Sequence, residues 1–163
     1  MEKFKKILKA LLPTIIKIVV AVILLFITFT FIFGIYRIDD YNMYPALKDG
    51  DLCITYKLED YYKDDIVIYE IDGEKHIGRI VARVGDTVDS DSTGLIVNGS
   101  YAVEEIFYET DMTDAELPCT LGEGEVYVLN DYRSDKKDSR IYGVISKENL
   151  KGKVIFVFRR RGF

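Results

Sequence analysis

Cysteine, histidine and proline are all scarce in this chain of 163 residues, and each scarcity excludes something. Two cysteines exclude a disulfide-dense scaffold and a cysteine-based zinc finger, and a single histidine leaves no histidine-rich metal site. Three prolines and 12 glycines exclude collagen-like or linker-dominated architecture. A formal net charge of −5 argues against a nucleic-acid partner. With 48% hydrophobic and 30% charged residues, the chain is too apolar for disorder and too charged for several membrane spans. What remains is one small domain with an attached segment.

The apolar excess is at the front. From Ile18 to Tyr36 no residue carries a charge. As a helix this run is about 28 Å long, close to the hydrocarbon thickness of a bilayer. Lys3, Lys5, Lys6, Lys9 and Lys17 precede it against one acid, Glu2. The positive-inside rule then puts residues 1–17 in the cytoplasm, the span at 18–36, and residues 37–163 outside. A cleavable signal peptide is the rival reading. Its apolar core is shorter and ends at an A-x-A-like site, whereas this run ends in Phe-Gly-Ile-Tyr-Arg, so an uncleaved anchor is expected. Without the five lysines and Glu2, the chain's 22 basic and 27 acidic side chains leave a net of −9. That is an acidic, well-solvated extracytoplasmic domain.

The soluble part reads as strands. Runs rich in β-branched and aromatic residues occupy Leu52–Leu58, Asp65–Ile71, His76–Val84, Leu95–Asn98, Glu125–Leu129 and Lys153–Phe158. Asp72-Gly73, Gly85-Asp86, Asn98-Gly99 and Gly122-Glu123-Gly124 mark turns between them. The spacing predicts a mainly β domain of barrel or sandwich type, with 89–124, more acidic and less periodic, as a small inserted subdomain. Cys53 and Cys119 are read either as two buried thiols or as a bridge, since sequence separation carries no geometry.

Three blocks follow the anchor in order. The first is Asn42-Met43-Tyr44-Pro45-Ala46-Leu47 leading to Gly50-Asp51, and the second is Gly78-Arg79-Ile80 leading to Gly85-Asp86. The third is Asn130-Asp131-Tyr132-Arg133, followed by Asp138-Ser139-Arg140 and Gly143. Behind one membrane anchor, these resemble the type I signal peptidases, whose pattern is S-M-x-P-T-L…G-D, then K-R, then G-D-N-R-x-x-S-x-D-S-R-x-x-G. The resemblance implies the family's fold and a Ser–Lys dyad, in which a desolvated lysine activates a serine hydroxyl. The serine position is Asn42 here and the lysine position is Gly78. A carboxamide is no serine-like nucleophile, and glycine has no side-chain base. Asp40 stands where the family usually has Gly or Ser near the oxyanion hole, and its carboxylate opposes developing negative charge. In a dismantled serine protease, loss of nucleophile or base lowers kcat about 10⁶-fold.

His76 shares a strand face with Gly78, but sits about 6–7 Å along the strand from it, so a structural role is expected rather than that of a substitute base. Asp131, Arg133, Asp138, Ser139 and Arg140 match the family motif and are expected to pin a turn through Arg–carboxylate contacts. The resemblance implies a peptide groove, and Ile38, Asp40, Asn42, Met43, Pro45, His76, Gly78 and Arg79 are expected to line it. Gly78 is expected to open room there. Relatives without the dyad accompany pilus and sortase gene clusters in Gram-positive bacteria. The resemblance therefore implies a non-catalytic assembly factor or chaperone that binds a pilin or other secreted-protein segment by strand addition, with a sortase as a further partner. No metal or other cofactor is expected. An active peptidase with an atypical arrangement and a tethered scaffold with an empty groove are the competing expectations.

Overall fold

The computed structural model describes residues 2–103, 106 and 108–159, with the side chains of the first eight residues left aside. Helix α1 spans Glu2–Phe31 and contains Pro13, whose missing N–H removes one rung of the ladder. Its Lys9–Phe31 segment has a mean hydropathy of 2.8, is long enough to cross a membrane, and has no buried residue when packed only by the described residues. The hydroxyls of Thr28 and Thr30 donate to the Leu24 and Phe26 carbonyls, so neither is left unpaired in an apolar surround.

The helix ends five residues earlier than the uncharged run does. Ile32 N–H closes the last helical bond on Thr28, and Phe33–Arg37 then forms strand β1. Absence of charge does not distinguish an apolar helix from an apolar strand. Here cross-strand pairing decides, because β1 lies antiparallel on β2, Leu52–Tyr56, with Ile35 opposite Ile54. Lys57 fastens the junction. Its N–H donates to the Ile32 carbonyl and its Nζ to that of Thr30 at 2.8 Å, placing a cation on the helix C-terminus.

The remaining strands are β3 (Ile66–Ile71), β4 (Glu74–Arg83), β5 (Thr87–Ser90), β6 (Leu95–Val97), β7 (Ser100–Tyr101), β8 (Cys119–Thr120), β9 (Glu125–Leu129), β10 (Ile145–Ser146) and β11 (Leu150–Phe158). A one-turn helix, α2, occupies Ser139–Tyr142. The large sheet is antiparallel in the order β1-β2-β11-β3-β4-β9-β10, and the small one runs β7-β6-β5-β8. The fold is thus mainly β behind one apolar helix. The small sheet begins at Thr87 and leaves the chain between two neighbouring strands, β4 and β9. Its β6–β7 hairpin turns at Asn98-Gly99, both at positive φ, the geometry for which this pair is suited.

Both faces of the large sheet are buried at its centre, so its strands read as near-continuous apolar runs. Ile68 and Ile77 pack with Ile38, Met43, Leu47 and Cys53 on one face. On the other, Val67, Tyr69 and Ile80 pack with Val126, Val128, Ile145 and Leu150. Cys53 and Cys119 are free thiols in separate surroundings, and burial pushes that of Cys53 up to about 11.

Candidate functional site

The loop between β1 and β2 is fixed at both ends. Ile38 N–H donates to the Asp51 carbonyl, and Gly50 N–H returns to the Ile38 carbonyl. Met43 and Leu47 plunge into the core, which leaves Asn42 half-buried at the bend and Pro45 exposed. Asn42 is tied to Asp40 and to Tyr132. Its backbone N–H donates to Asp40 Oδ1 at 3.2 Å and its Nδ2 to Asp40 Oδ2 at 3.1 Å, while its carbonyl accepts from Tyr132 N–H at 2.8 Å. Burial raises the proton affinity of Asp40 above that of an ordinary carboxylate. Repulsion from Asp39 and Asp135 adds to this, while the Asn42 N–H and the field of His76 oppose it.

On β4 the register of the Asp72-Gly73 hairpin sets the next layer. Gly78 faces Val67 and His76 faces Tyr69. The imidazole stacks on the Tyr69 ring, with centroids 5.4 Å apart, and meets the Tyr142 ring at 5.1 Å. Tyr69 is fully buried, and its hydroxyl reaches the Lys137 carbonyl at 3.4 Å. Burial, with repulsion from Asp138 among others, pushes its phenol well above the ordinary range. His76 is thus a packed ring between two others.

The expectation that Gly78 opens a groove wall is corrected by its surroundings. The residue is buried, and a Cβ there would stand 2.5 Å from Val128 Cγ1 and 3.2 Å from the Leu129 carbonyl oxygen. The space of a longer side chain is already taken by β9. Met43 and Arg79 are likewise not groove-lining side chains. Met43 belongs to the core, and the Arg79 guanidinium is held bidentately by Asp131 at 2.8 and 2.6 Å and also donates to the Asp64 carbonyl.

The motif residues after β9 build the support. Asp138 caps α2 and accepts from Asn130 N–H, Arg140 N–H, Arg140 Nε and Arg140 Nη2, all within 3.0 Å. Arg140 also donates to the Arg133 and Asp135 carbonyls. Arg133 donates through Nε to the Asn130 carbonyl and contacts Thr110 Oγ1, and Ser139 Oγ accepts from Val128 N–H at 2.9 Å. Ser139 is thereby occupied with the backbone of β9.

A cleft of about 640 Å³ runs beside this assembly. Ile35–Asp40 form one wall, Gly73–Ile77 the other, and Ile68 lies at its base. Both walls carry open backbone. Among the described residues β1 pairs only with β2, and β4 pairs with β9 only from Arg79 onward, so residues 74–78 have no strand partner on that side. Of the expected groove residues, Ile38, Asp40 and His76 line the cleft. Sequence reasoning missed Tyr36, Ile68, Tyr69 and Tyr142. The hairpin turn carried a signal for Tyr69, since its register pairs that residue with His76.

The family profile described as "Signal peptidase, peptidase S26" matches residues 11–159. The chain belongs to the peptidase S26 signal peptidase family. Signal peptidase IB of Staphylococcus aureus (strain Mu50 / ATCC 700699) is 31% identical, over 92% of this chain and 90% of its own. Signal peptidase I of Bacillus licheniformis is 31% identical over 86% of this chain and 84% of its own. The crystal structure of a signal peptidase I from Enterococcus faecalis V583 superposes with a TM-score of 0.50 at 21% identity, covering 60% of this chain and 98% of that one. The last comparison establishes the fold. The apolar α1 fits membrane anchoring as in signal peptidases.

Proposed function

We propose that this signal peptidase-like membrane protein is non-catalytic and holds an extended segment of a secreted protein in its cleft. The pair Asn42–Asp40 carries the reading. The family's nucleophile position presents a carboxamide whose Nδ2 is held by Asp40, and its backbone N–H, the donor that would meet a developing oxyanion, already points at the same carboxylate. Gly78 has neither a base nor room for one, because Val128 fills the place. What persists is the cleft with two open strand edges, which suits strand addition and needs no dyad.

In this reading the N-terminus is cytoplasmic, the β domain lies outside the membrane, and the client is a pilin awaiting polymerisation, delivered to or shared with a sortase. The test is site-specific photocrosslinking in cells from Ile35 and from Lys75, exposed residues on opposite walls. The expected result is one pilin adduct from both positions and none from a crosslinker at Ser92, far from the cleft. Adducts identical at all three positions would overturn the reading. So would a client that is recovered cleaved.

A further inference from the structure

Opposite residues of an antiparallel ladder share a face, so register alone groups the outward side chains of β1, β2 and β11 into three rows. Phe33, Tyr56 and Lys153 form the first, Ile35, Ile54 and Phe156 the second, and Arg37, Leu52 and Phe158 the third. The other face of these strands, with Tyr36, Cys53 and Val157, packs into the core. On the outward face Ile35, Phe156 and Phe158 are exposed by 54%, 53% and 52%, and Leu52 is exposed beside them. That is a contiguous apolar surface rather than a scatter of single side chains. Phe156 and Phe158 lie ring to ring at 4.6 Å, Phe33 meets Tyr56 at 5.4 Å, and Phe29 of α1 meets Phe33 at 6.2 Å. Ring contacts thus lead from the apolar helix directly onto the sheet.

Charge follows the same division. β1, β2 and β11 contain no aspartate or glutamate, in a domain that is otherwise acidic. Asp39 and Asp51 stand just outside the strand ends, Asp51 buried. Lys153 is matched within the protein, by Glu59 at 3.2 Å and Asp65 at 3.5 Å. Arg37 and Arg159 are exposed and join no ion pair among the described residues. In the sequence, Arg159-Arg160-Arg161 follows Phe158 directly. A large apolar patch is rarely left in water, and exposed aromatic rings flanked by free arginines are the make-up of a surface that sits in a membrane interface. We infer that the outward face of β1, β2 and β11 lies in the lipid headgroup layer, its phenylalanines at the acyl boundary and Arg37 and Arg159 on anionic headgroups. The third row fixes the posture. It stands two pleat repeats, about 13 Å, along the strands from the first. Its exposed Leu52 and Phe158 therefore reach lipid only if the sheet lies along the bilayer rather than rising from it. The inference needs no client in the cleft.

The test exploits the absence of tryptophan from the chain. Phe156→Trp and, in a separate variant, Phe158→Trp each place a single reporter on the face, and Tyr101→Trp on β7 of the small sheet is the exposed control. Full-length protein is held one copy to a nanodisc whose lipids carry a spin label near the headgroup end of the acyl chain. Both face reporters are expected to be quenched several-fold more than the control. Replacing part of the phosphatidylcholine by phosphatidylglycerol should deepen that quenching, less so as salt rises, and Arg37→Gln with Arg159→Gln should remove the gain. Equal quenching at all three positions, or none at 156 and 158, overturns the inference. So does a blue-shifted Phe156→Trp emission that lipid does not quench and that appears only in discs holding two copies, which would give the face to a second copy of the chain. A phosphatidylglycerol gain that is absent, or that survives the double arginine change, overturns the role of Arg37 and Arg159.

Discussion

Gly78 and Asp40 carry the residue-scale argument. Any side chain at 78 begins with a Cβ 2.5 Å from Val128 Cγ1, inside a sheet buried on both faces. Overpacking of this kind costs about 1–3 kcal/mol. Gly78→Leu should therefore lower the unfolding midpoint in urea, and Val128→Ala in the same chain should restore part of it. A fully stable Gly78→Leu would show that the position faces solvent. For the same reason Asn42→Ser with Gly78→Lys is expected to leave cleavage of a signal-peptide substrate undetectable, while adding Val128→Ala and Asp40→Gly gives the rebuilt pair room and frees the backbone donor. Asp40 also predicts a pH effect. Its folded-state proton affinity is raised, so its contribution to stability is complete below the ordinary carboxylate pKa and is lost as pH rises through the raised one. Relative to Asp40→Asn, the wild type should be more stable in acid than at neutral pH, as read from melting temperatures of both across that range. Parallel curves would contradict it. The two substitutions were plain in the motif, but the crowding at 78 was not, because Val128 reaches it from a strand fifty positions away.

The turn between β9 and α2 is where the elements are tied together. Asp138 and Arg140 are both fully inaccessible, and each satisfies several backbone groups of the turn. Removing one member strands the other charge in the interior, which costs about 3–5 kcal/mol. Arg140→Ala is expected to abolish or nearly abolish the folded domain, whereas Arg79→Ala, whose guanidinium is partly exposed beside Asp131, should be tolerated better. Comparable thermal losses in the two variants would argue against this ranking. Legibility in the sequence divides along the same line. Glu125–Leu129 is a strand with the expected bounds, and Asp65–Ile71 and His76–Val84 are shifted by only one or two residues, since alternation and turn residues encode them locally. The two-residue strands β7, β8 and β10 carry too little pattern to be read. β1 was absorbed into the anchor because pairing with β2, not polarity, ends the helix.

For the whole molecule, the anchor and the β domain are joined without a linker, since Lys57 grips the end of α1 and β1 follows within two residues. Beside that junction the outer face of β1, β2 and β11 exposes Ile35, Leu52, Phe156 and Phe158. The β1 wall of the cleft, from Ile35 on, thus begins four residues after the end of α1. Family and overall architecture were legible from motif order and strand spacing. The cleft was legible only as an implication of the resemblance, because its walls come from β1 and from the unpaired half of β4, which are not neighbours in the sheet. The central claim is binding without cleavage, and one experiment addresses both halves. Full-length protein in nanodiscs is mixed at equal concentration with a fluorescent precursor bearing its signal peptide and followed by anisotropy and by mass spectrometry. The account predicts saturable binding with the precursor intact after prolonged incubation. Cleavage that disappears in His76→Ala would contradict it.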